Sequence, residues 1–319
     1  MEITDFMYSV LKIYGPVLDL ILCIIFLSSI LVCIITYKNR KKLKKMYLLL
    51  LIPAVLIVGT ILYGSVIEQM VIIKKEQTID IEDYNGDPIK FIIVSDLHLG
   101  QFLNTAKIPL LVNKINKIED ADYLLLLGDV VNDNSIHLSD LDFLKGIKKS
   151  TIFIYGNHDY ENAEPPVKLV EGLPEKIDEL GFLILENEMI TVRSGGSEIK
   201  IAGIKDLWSH EEDFSFLDQI SKEDSLILLS HSPDGVKKLD EEGYSSKVDL
   251  VLSGHTHGGE VRLPFIGPVG LLPIELPREY SKGLHGYAGI PLFITSGVGS
   301  TGTRVRLFNY PEIIVLTIM

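Results

Sequence analysis

"VDLVLSGHTHGGE", Val248 to Glu260, runs from a strand-length apolar stretch into two histidines one residue apart, His255 and His257, set among glycines. A continuous Val/Leu run of this length reads as a strand buried on both faces. Successive side chains of an extended segment point to opposite faces, so on this stretch alone one histidine could be structural and the other merely exposed. Whether both imidazoles serve one site depends on partners elsewhere in the chain.

The pattern recurs four times: "PIKFIIVSDLHLG" (Pro88–Gly100), "DYLLLLGDVVND" (Asp122–Asp133), "STIFIYGNHDY" (Ser150–Tyr160) and "SLILLSHSPD" (Ser225–Asp234). Each apolar run ends in a polar cluster. The stretches Lys107–Asp120 and Pro166–Leu180 carry helix-like spacing, and strands alternating with helices indicate an α/β fold whose ligands gather at the carboxyl ends of strands. There is no internal repeat and no low-complexity segment.

The polar residues at those ends are Asp96 and His98, Asp129, Asn157 and His158, His231, and His255 and His257, which take up five of the eight histidines. Mixed carboxylate and imidazole ligands suit borderline divalent metals such as Mn, Fe or Zn, whereas an all-oxygen set suits Mg or Ca. Three carboxyl or amide oxygens and four imidazole nitrogens fill two coordination spheres if one carboxylate bridges. Two such metal ions clamp the attacking and leaving oxygens of an in-line displacement at phosphorus and lower the pKa of a bridging water towards about 7, so the set points to phosphoester hydrolysis by the resulting hydroxide. Gly128, Gly156, Gly254, Gly258 and Gly259 stand beside these residues, where a Cβ would intrude on a backbone turning close to metal.

The formal net charge of −13 over 319 residues is unevenly placed, with nine Lys/Arg against four Asp/Glu in residues 1–75 and 21 against 39 in the remainder. So acidic a remainder excludes ordinary nucleic-acid binding. The basic excess flanks two apolar runs, about residues 16–37 and 46–67, each long enough to cross a bilayer as helix. "KNRKKLKK", Lys38–Lys45, joins them through a linker too short for anything but a hairpin, and the positive-inside rule places it in the cytoplasm. Glu2 and Asp5 stand where the basic region of a cleaved signal peptide belongs, and Lys74 and Lys75 are a weaker signal for the inverted orientation. The expectation is a multi-pass cell-membrane protein with a two-helix transmembrane hairpin and connector over 1–76 and a catalytic domain over 77–319 on the extracytoplasmic side. Cys23 and Cys33 both fall in the first span and say nothing of the redox environment of the rest.

Taken in order, "D-x-H", "GD", "GNHD", a later histidine and "GHTHGG" resemble the calcineurin-like metallophosphoesterases, and within them the membrane-anchored bacterial and archaeal branch. The resemblance runs from about Ile89 to the C-terminus and includes "GLHGYAGIPLFITSGVGSTGTRVRLFNYPEI", similar to that branch's closing segment. It implies a sandwich of two mixed β-sheets flanked by helices. It further implies that Asp96, His98 and His257 hold one divalent metal ion, that Asn157, His231 and His255 hold a second, and that Asp129 bridges. His158 would then be no ligand but the catalytic residue that stabilises the transition state or protonates the leaving oxygen.

Asp159 and Arg306 are candidates to support these groups or to meet substrate, and Arg304 is a further candidate for a phosphate oxygen. Trp208 reads as rim packing or as a substrate-stacking ring. Two positions depart from relatives. Asn132 stands where many carry the aspartate that orients the catalytic histidine, so the expectation is a weaker hydrogen bond to His158. Glu260 replaces a glutamine after "GHTHGG" and would bring negative charge to the site, disfavouring polyanionic substrates. The implied substrate is a phosphodiester, phosphomonoester or pyrophosphate, with a lipid-linked phosphoester among the options. One related branch cleaves the pyrophosphate of a UDP-linked acylated sugar. The rival class is a non-catalytic binding module on the same fold; such proteins lose ligands first, and every ligand position here holds a usable residue.

The orientation has a direct readout. A reporter active only outside the cytoplasm should be active when fused after Met319 and inactive when inserted near Lys42; the reverse pattern contradicts the extracytoplasmic placement.

Overall fold

A computed structural model describes residues 3–43, 46–82, 84–161, 168–221, 224–301 and 304–319. The strands in chain order are β1 (Ile73–Ile79), β2 (Ile89–Val94), β3 (Tyr123–Leu127), β4 (Ser150–Ile154), β5 (Leu183–Ile184), β6 (Glu188–Ser194), β7 (Ser197–Gly203), β8 (Leu226–Leu229), β9 (Leu250–Ser253), β10 (Arg262–Leu263), β11 (Gly267–Pro268), β12 (Gly283–Tyr287), β13 (Ile290–Ile294) and β14 (Glu312–Ile318). The five motif-bearing apolar runs are β2, β3, β4, β8 and β9. The longer helices are α1 (Ile3–Lys38), α2 (Arg40–Leu43), α3 (Met46–Leu62), α4 (Phe102–Asn116), α5 (Leu173–Glu179) and α6 (Gly235–Glu241). The helix expected over Pro166–Leu180 thus begins only at Leu173, and its first two expected residues lie outside the described ones.

Two six-stranded sheets form, in the orders β1-β14-β2-β3-β4-β5 and β12-β13-β9-β8-β7-β6. Both are mixed. In the first, β2, β3, β4 and β5 run parallel while β14 opposes β2. In the second, β7, β8, β9 and β13 run parallel with antiparallel β6 and β12 at the edges.

The two-residue periodicity of strands explains how three apolar layers arise from continuous Val/Ile/Leu runs. Ile89, Phe91 and Ile93 of β2 turn one way, meeting Ile227, Leu229, Leu250 and Leu252 of the other sheet in the central layer. Ile92 and Val94 turn the other way, onto Ile108, Leu111 and Ile115 of α4. Beyond the second sheet, Leu228 and Val251 meet Val236 and Leu239 of α6. The α/β sandwich of two mixed sheets flanked by helices is as expected, and it brings the carboxyl ends of β2, β3 and β4 together with those of β8 and β9.

Within α1 and from α3 onward, Leu20–Lys38 and Leu51–Glu68 are long and apolar enough to cross a membrane. α1 and α3 pack against each other, yet Leu27, Leu31, Leu56 and many of their neighbours remain exposed, so neither is a buried core helix. The helical path does not stop at Leu62: a π-helical turn, Tyr63–Glu68, carries it into the sandwich. There the Gly64 carbonyl accepts from the Arg306 N–H at 3.1 Å, the Tyr63 and Tyr310 hydroxyls meet at 2.6 Å, and buried Glu68 accepts from the Asn309 N–H at 2.5 Å. β1 then straddles the expected division near Gln77 and pairs with β14.

This junction admits no side chain at residue 64. A Cβ there would lie 2.7 Å from the Arg306 carbonyl and 2.8 Å from Val305 Cγ1, whereas at Gly59 it would meet nothing within 4 Å. Gly64→Leu should therefore destabilise the detergent-solubilised chain by about 1–3 kcal/mol through overpacking against backbone. Thermal unfolding checks this: the midpoint should fall for Gly64→Leu and stay close to that of the unsubstituted chain for Gly59→Leu.

Candidate metal centre

The chain turns sharply after β2, β3 and β9, and the turning residues are the polar ones. Asp96, His98, Asp129, His255 and His257 have φ of +57°, +46°, +53°, +67° and +50°, the left-handed region that side chains rarely enter. Such conformations cost about 1–3 kcal/mol each and persist where surrounding structure over-determines them, as at functional sites. Gly128 shares the conformation at +83°, and a Cβ there would lie 2.7 Å from His231 Nδ1. A Cβ on Gly156 would strike Asp129 Oδ1, so this glycine is required for close approach and not for its φ.

The turns converge across both sheets. Asp96, His98, Asp129 and His257 present ligand atoms within 4.8 Å of one another, and so do Asp129, His231 and His255. Asp129 belongs to both groups. Its Oδ1 accepts from the His158 N–H at 2.8 Å, leaving Oδ2 at 3.1 Å from His231 Nε2 and 3.4 Å from His98 Nε2. In each group two imidazole nitrogens face each other, His98 Nε2 with His257 Nε2 at 3.0 Å and His231 Nε2 with His255 Nδ1 at 3.2 Å. The opposite nitrogens of the second pair are held by main chain: His231 Nδ1 donates to the Leu127 carbonyl at 2.7 Å, and His255 Nε2 to the Pro273 carbonyl at 2.9 Å. That fixes which nitrogen looks inward. Asn157 Oδ1 is buried with no hydrogen-bond partner among the described residues. An orphaned buried amide oxygen costs about 1–3 kcal/mol, and a cation beside it removes that penalty. The donor set, inward-facing nitrogens and orphaned oxygen fit divalent metal ions.

The electrostatics fit as well. Burial, with other imidazoles adding to it, holds His98 and His257 well below the usual histidine range, and burial with His231 nearby brings His255 down to about 4. These are neutral imidazoles, the ligating form. For His231 burial acts in the same direction but is outweighed by Asp129, Asp96 and Asp206, which raise it well above that range. Asp129 mirrors this: burial raises its carboxyl, but His231 and His158 outweigh burial and hold it well below the usual carboxylate range. Burial lifts Asp96 to about 6.

The remaining expected residues are placed as follows. His158 is partly buried, its ring 4.6 Å from that of His98, and its Nδ1 donates to the main-chain carbonyl of Asn132 at 2.7 Å. The Asn132 side chain does not orient it: Asn132 Oδ1 accepts from Gln101 and Nδ2 donates to Asp133. Arg306 is fully buried and donates to the carbonyls of Ser296, Gly299 and Asn309, the supporting one of its two expected roles. Glu260 is buried, accepting from the Thr301 N–H at 2.7 Å with its charge beside Arg306, so it does not burden the site with negative charge. Asp159 accepts from the N–H groups of Asp129, Val130, Val131 and Gly156. Burial raises its carboxyl to about 7 and those donors oppose the rise. Arg304 is exposed, and Trp208 is partly exposed, its N–H donating to Asp206 at 2.9 Å.

Two residues carry weight that the sequence did not mark. Asn309 Nδ2 donates to the His257 carbonyl at 2.6 Å, and Asn104 Nδ2 to the His98 carbonyl at 3.1 Å. Asn309 lies 52 residues along the chain from the carbonyl it holds and Asn104 only six, and neither spacing nor composition signals either contact.

Residues 89–259 match the calcineurin-like phosphoesterase family. The chain belongs to this family. It is a metal-dependent phosphoester hydrolase. It is 28% identical over 292 residues to YkuE, an uncharacterised metallophosphoesterase of Bacillus subtilis, covering 88% of this chain and 97% of that one. It is likewise 28% identical over 241 residues to the phosphodiesterase YaeI of Escherichia coli, covering 74% and 84%. A transmembrane protein with a metallophosphoesterase domain from Danio rerio is 29% identical over 247 residues, covering 73% of this chain and 53% of the fish protein.

Because Asp129, Asp96 and Asp206 hold His231 well above the usual histidine range, a metal ion that takes its Nε2 must displace a proton. Titrating Mn into the chelator-stripped chain at about pH 7 should release about one proton or more per chain, measured calorimetrically in buffers of different ionisation enthalpy. Affinity should fall as pH is lowered, because that proton is then harder to remove. Binding independent of buffer and of pH between about 6 and 8 contradicts this.

Proposed function

We propose that the chain is a membrane-anchored phosphoesterase working with two divalent cations, Mn, Fe or Zn, and hydrolysing phosphodiesters, phosphomonoesters or pyrophosphates. The observation that carries this is Asp129, whose single free carboxylate oxygen faces His98 of one ligand group and His231 of the other. In this reading Asp96, His98 and His257 hold one cation, Asn157, His231 and His255 the other, and Asp129 both. Such cations, when bound, lower the pKa of water to near 7 and neutralise charge on phosphate oxygens.

The chain's own residues supply the rest. His158, its Nδ1–H held by the Asn132 carbonyl, turns Nε2 to the leaving oxygen and passes a proton to it. Because a main-chain carbonyl orients the ring, replacing aspartate by asparagine at residue 132 leaves that orientation intact. Asp159 gathers four consecutive or neighbouring N–H groups and so fixes where Asp129 and Asn157 sit. Residues 1–76 serve as membrane hairpin and connector, with residues 77–319 as the catalytic domain on the extracytoplasmic side. The exposed apolar helices and the basic linker support that placement.

Metal content and turnover, measured together, separate ligand from acid. Asp129→Asn removes the shared charge and should lose bound Mn and all turnover. His158→Ala should retain its Mn and lose about a hundredfold or more in turnover, the usual contribution of a general acid. Loss of metal from His158→Ala, or full metal and activity in Asp129→Asn, overturns the assignment.

A further inference from the structure

The turn that carries His255 and His257 continues directly into the β10–β11 hairpin and the loop after it. Arg262 Nη1 ties the hairpin back to the Gly258 carbonyl at 2.8 Å and to Ser281 Oγ at 2.8 Å, and the Pro273 carbonyl holds His255. At the tip Phe265 is fully exposed with φ +67°, and Ile266, Val269 and Leu271 are each more than half exposed. A bulky residue in the left-handed region with no contact inside the fold has nothing in the chain to offset its conformation or its exposed apolar surface. The chemistry of the segment is also unlike its surroundings: Val261–Ile274 contains no acidic residue and one arginine, in a part of the chain where Asp and Glu outnumber Lys and Arg almost two to one.

The position of the hairpin identifies what covers it. The Arg262 N–H donates to the Leu307 carbonyl at 2.9 Å, and the neighbouring Arg306 N–H donates to the Gly64 carbonyl at 3.1 Å. Gly64 lies within the apolar stretch Leu51–Glu68, whose Val66 and Ile67 are exposed, as is Phe308 beside Leu307. Two backbone hydrogen bonds therefore link the apolar tip to the end of a helix long enough to span a bilayer, and a partner at that height is the lipid surface. Apolar side chains at a tip with arginine at its base suit the headgroup and acyl boundary.

We propose that the Val261–Ile274 segment is a bilayer-contacting loop beside the metal centre and that the site acts on phosphoesters whose apolar part stays in the membrane. The substrate class rests on the functional reading given above; the bilayer contact rests only on its placing of the apolar helices in the membrane. Hydrolysis of such an ester forms a P–O bond from water and breaks the P–O bond to the alcohol, which leaves with a proton.

The test uses the full chain in phosphatidylcholine–phosphatidylglycerol bilayers. In a Trp208→Phe background, Phe265→Trp should lose about half or more of its emission when the acyl chains carry bromine, because the ring lies at their upper end. Trp208 in the unsubstituted chain should be nearly unaffected. Quenching of Phe265→Trp no greater than that of Trp208 overturns the contact, including the case in which a second copy covers the tip. Activity is read on two chromogenic diesters with the same leaving group, hexadecyl p-nitrophenyl phosphate in the bilayer and bis-p-nitrophenyl phosphate in solution. The unsubstituted chain should favour the bilayer ester in kcat/KM by about tenfold or more through local concentration, and Phe265→Ser with Ile266→Ser should abolish that preference while sparing the soluble ester. A preference that survives the double substitution, or none to begin with, overturns the substrate class. A Mn-loaded chain inactive on both esters overturns the functional reading and the substrate class with it, while the quenching still decides the bilayer contact.

Discussion

Asp129 is the group on which the rest of the site depends. It follows β3 in the first sheet, yet its Oδ2 lies 3.1 Å from a histidine after β8 in the second, and its Oδ1 accepts the N–H of His158 after β4. A buried carboxylate needs this much positive partnership, because removing one from water without compensation costs far more than a fold can supply. His231, held well above the usual histidine range, faces the carboxylate at 3.1 Å, and in the proposed working state two cations supply the charge. The unfavourable backbone at Asp96, His98, Asp129, His255 and His257 follows from the same demand, since five strand ends from two sheets must turn their polar side chains onto one carboxylate. Asp159 secures the turn by engaging the N–H groups of Asp129 and its two successors.

The second dependency joins the apolar helices to the centre. Glu68, at the end of the helical path from α3, accepts from the Asn309 N–H, and the Asn309 side chain holds the His257 carbonyl. Lys107 of α4 is buried at the same junction and donates to the carbonyls of Gln69 and Val298. The apolar helices are therefore not a tether on a flexible string. Their end is built into the wall behind one ligand loop, which in the proposed reading gives the β10–β11 tip a fixed relation to the lipid surface.

What was legible in the sequence was whatever repeated. Five apolar runs, each followed by Asp, Asn or His, disclosed five of the inner strands, β2, β3 and β4 of one sheet and β8 and β9 of the other, and every residue assigned to the metal pair, because buried parallel strands are apolar throughout and ligands collect at their carboxyl ends. Edges were less legible. β1, "IKKEQTI", shows solvent four polar side chains between its terminal isoleucines, and its identity as a strand comes only from pairing with β14, more than 230 positions away. Side-chain direction was least legible of all. Asn132 and Glu260 occupy the expected places in sequence but turn to Gln101 with Asp133 and to Thr301, and Arg306, a candidate for either a supporting or a phosphate-binding role, is enclosed by backbone carbonyls. A residue's type constrains what it can bond; only the packed backbone decides which partner it reaches.

The central claim, a shared carboxylate between two cation sites, is tested most directly by electron paramagnetic resonance of the chain loaded with Mn(II). The account predicts the spectrum of an exchange-coupled pair at full loading, lost on substitution of Asp129 by asparagine. An uncoupled mononuclear signal that persists at saturating Mn(II) and is unchanged by that substitution would contradict it.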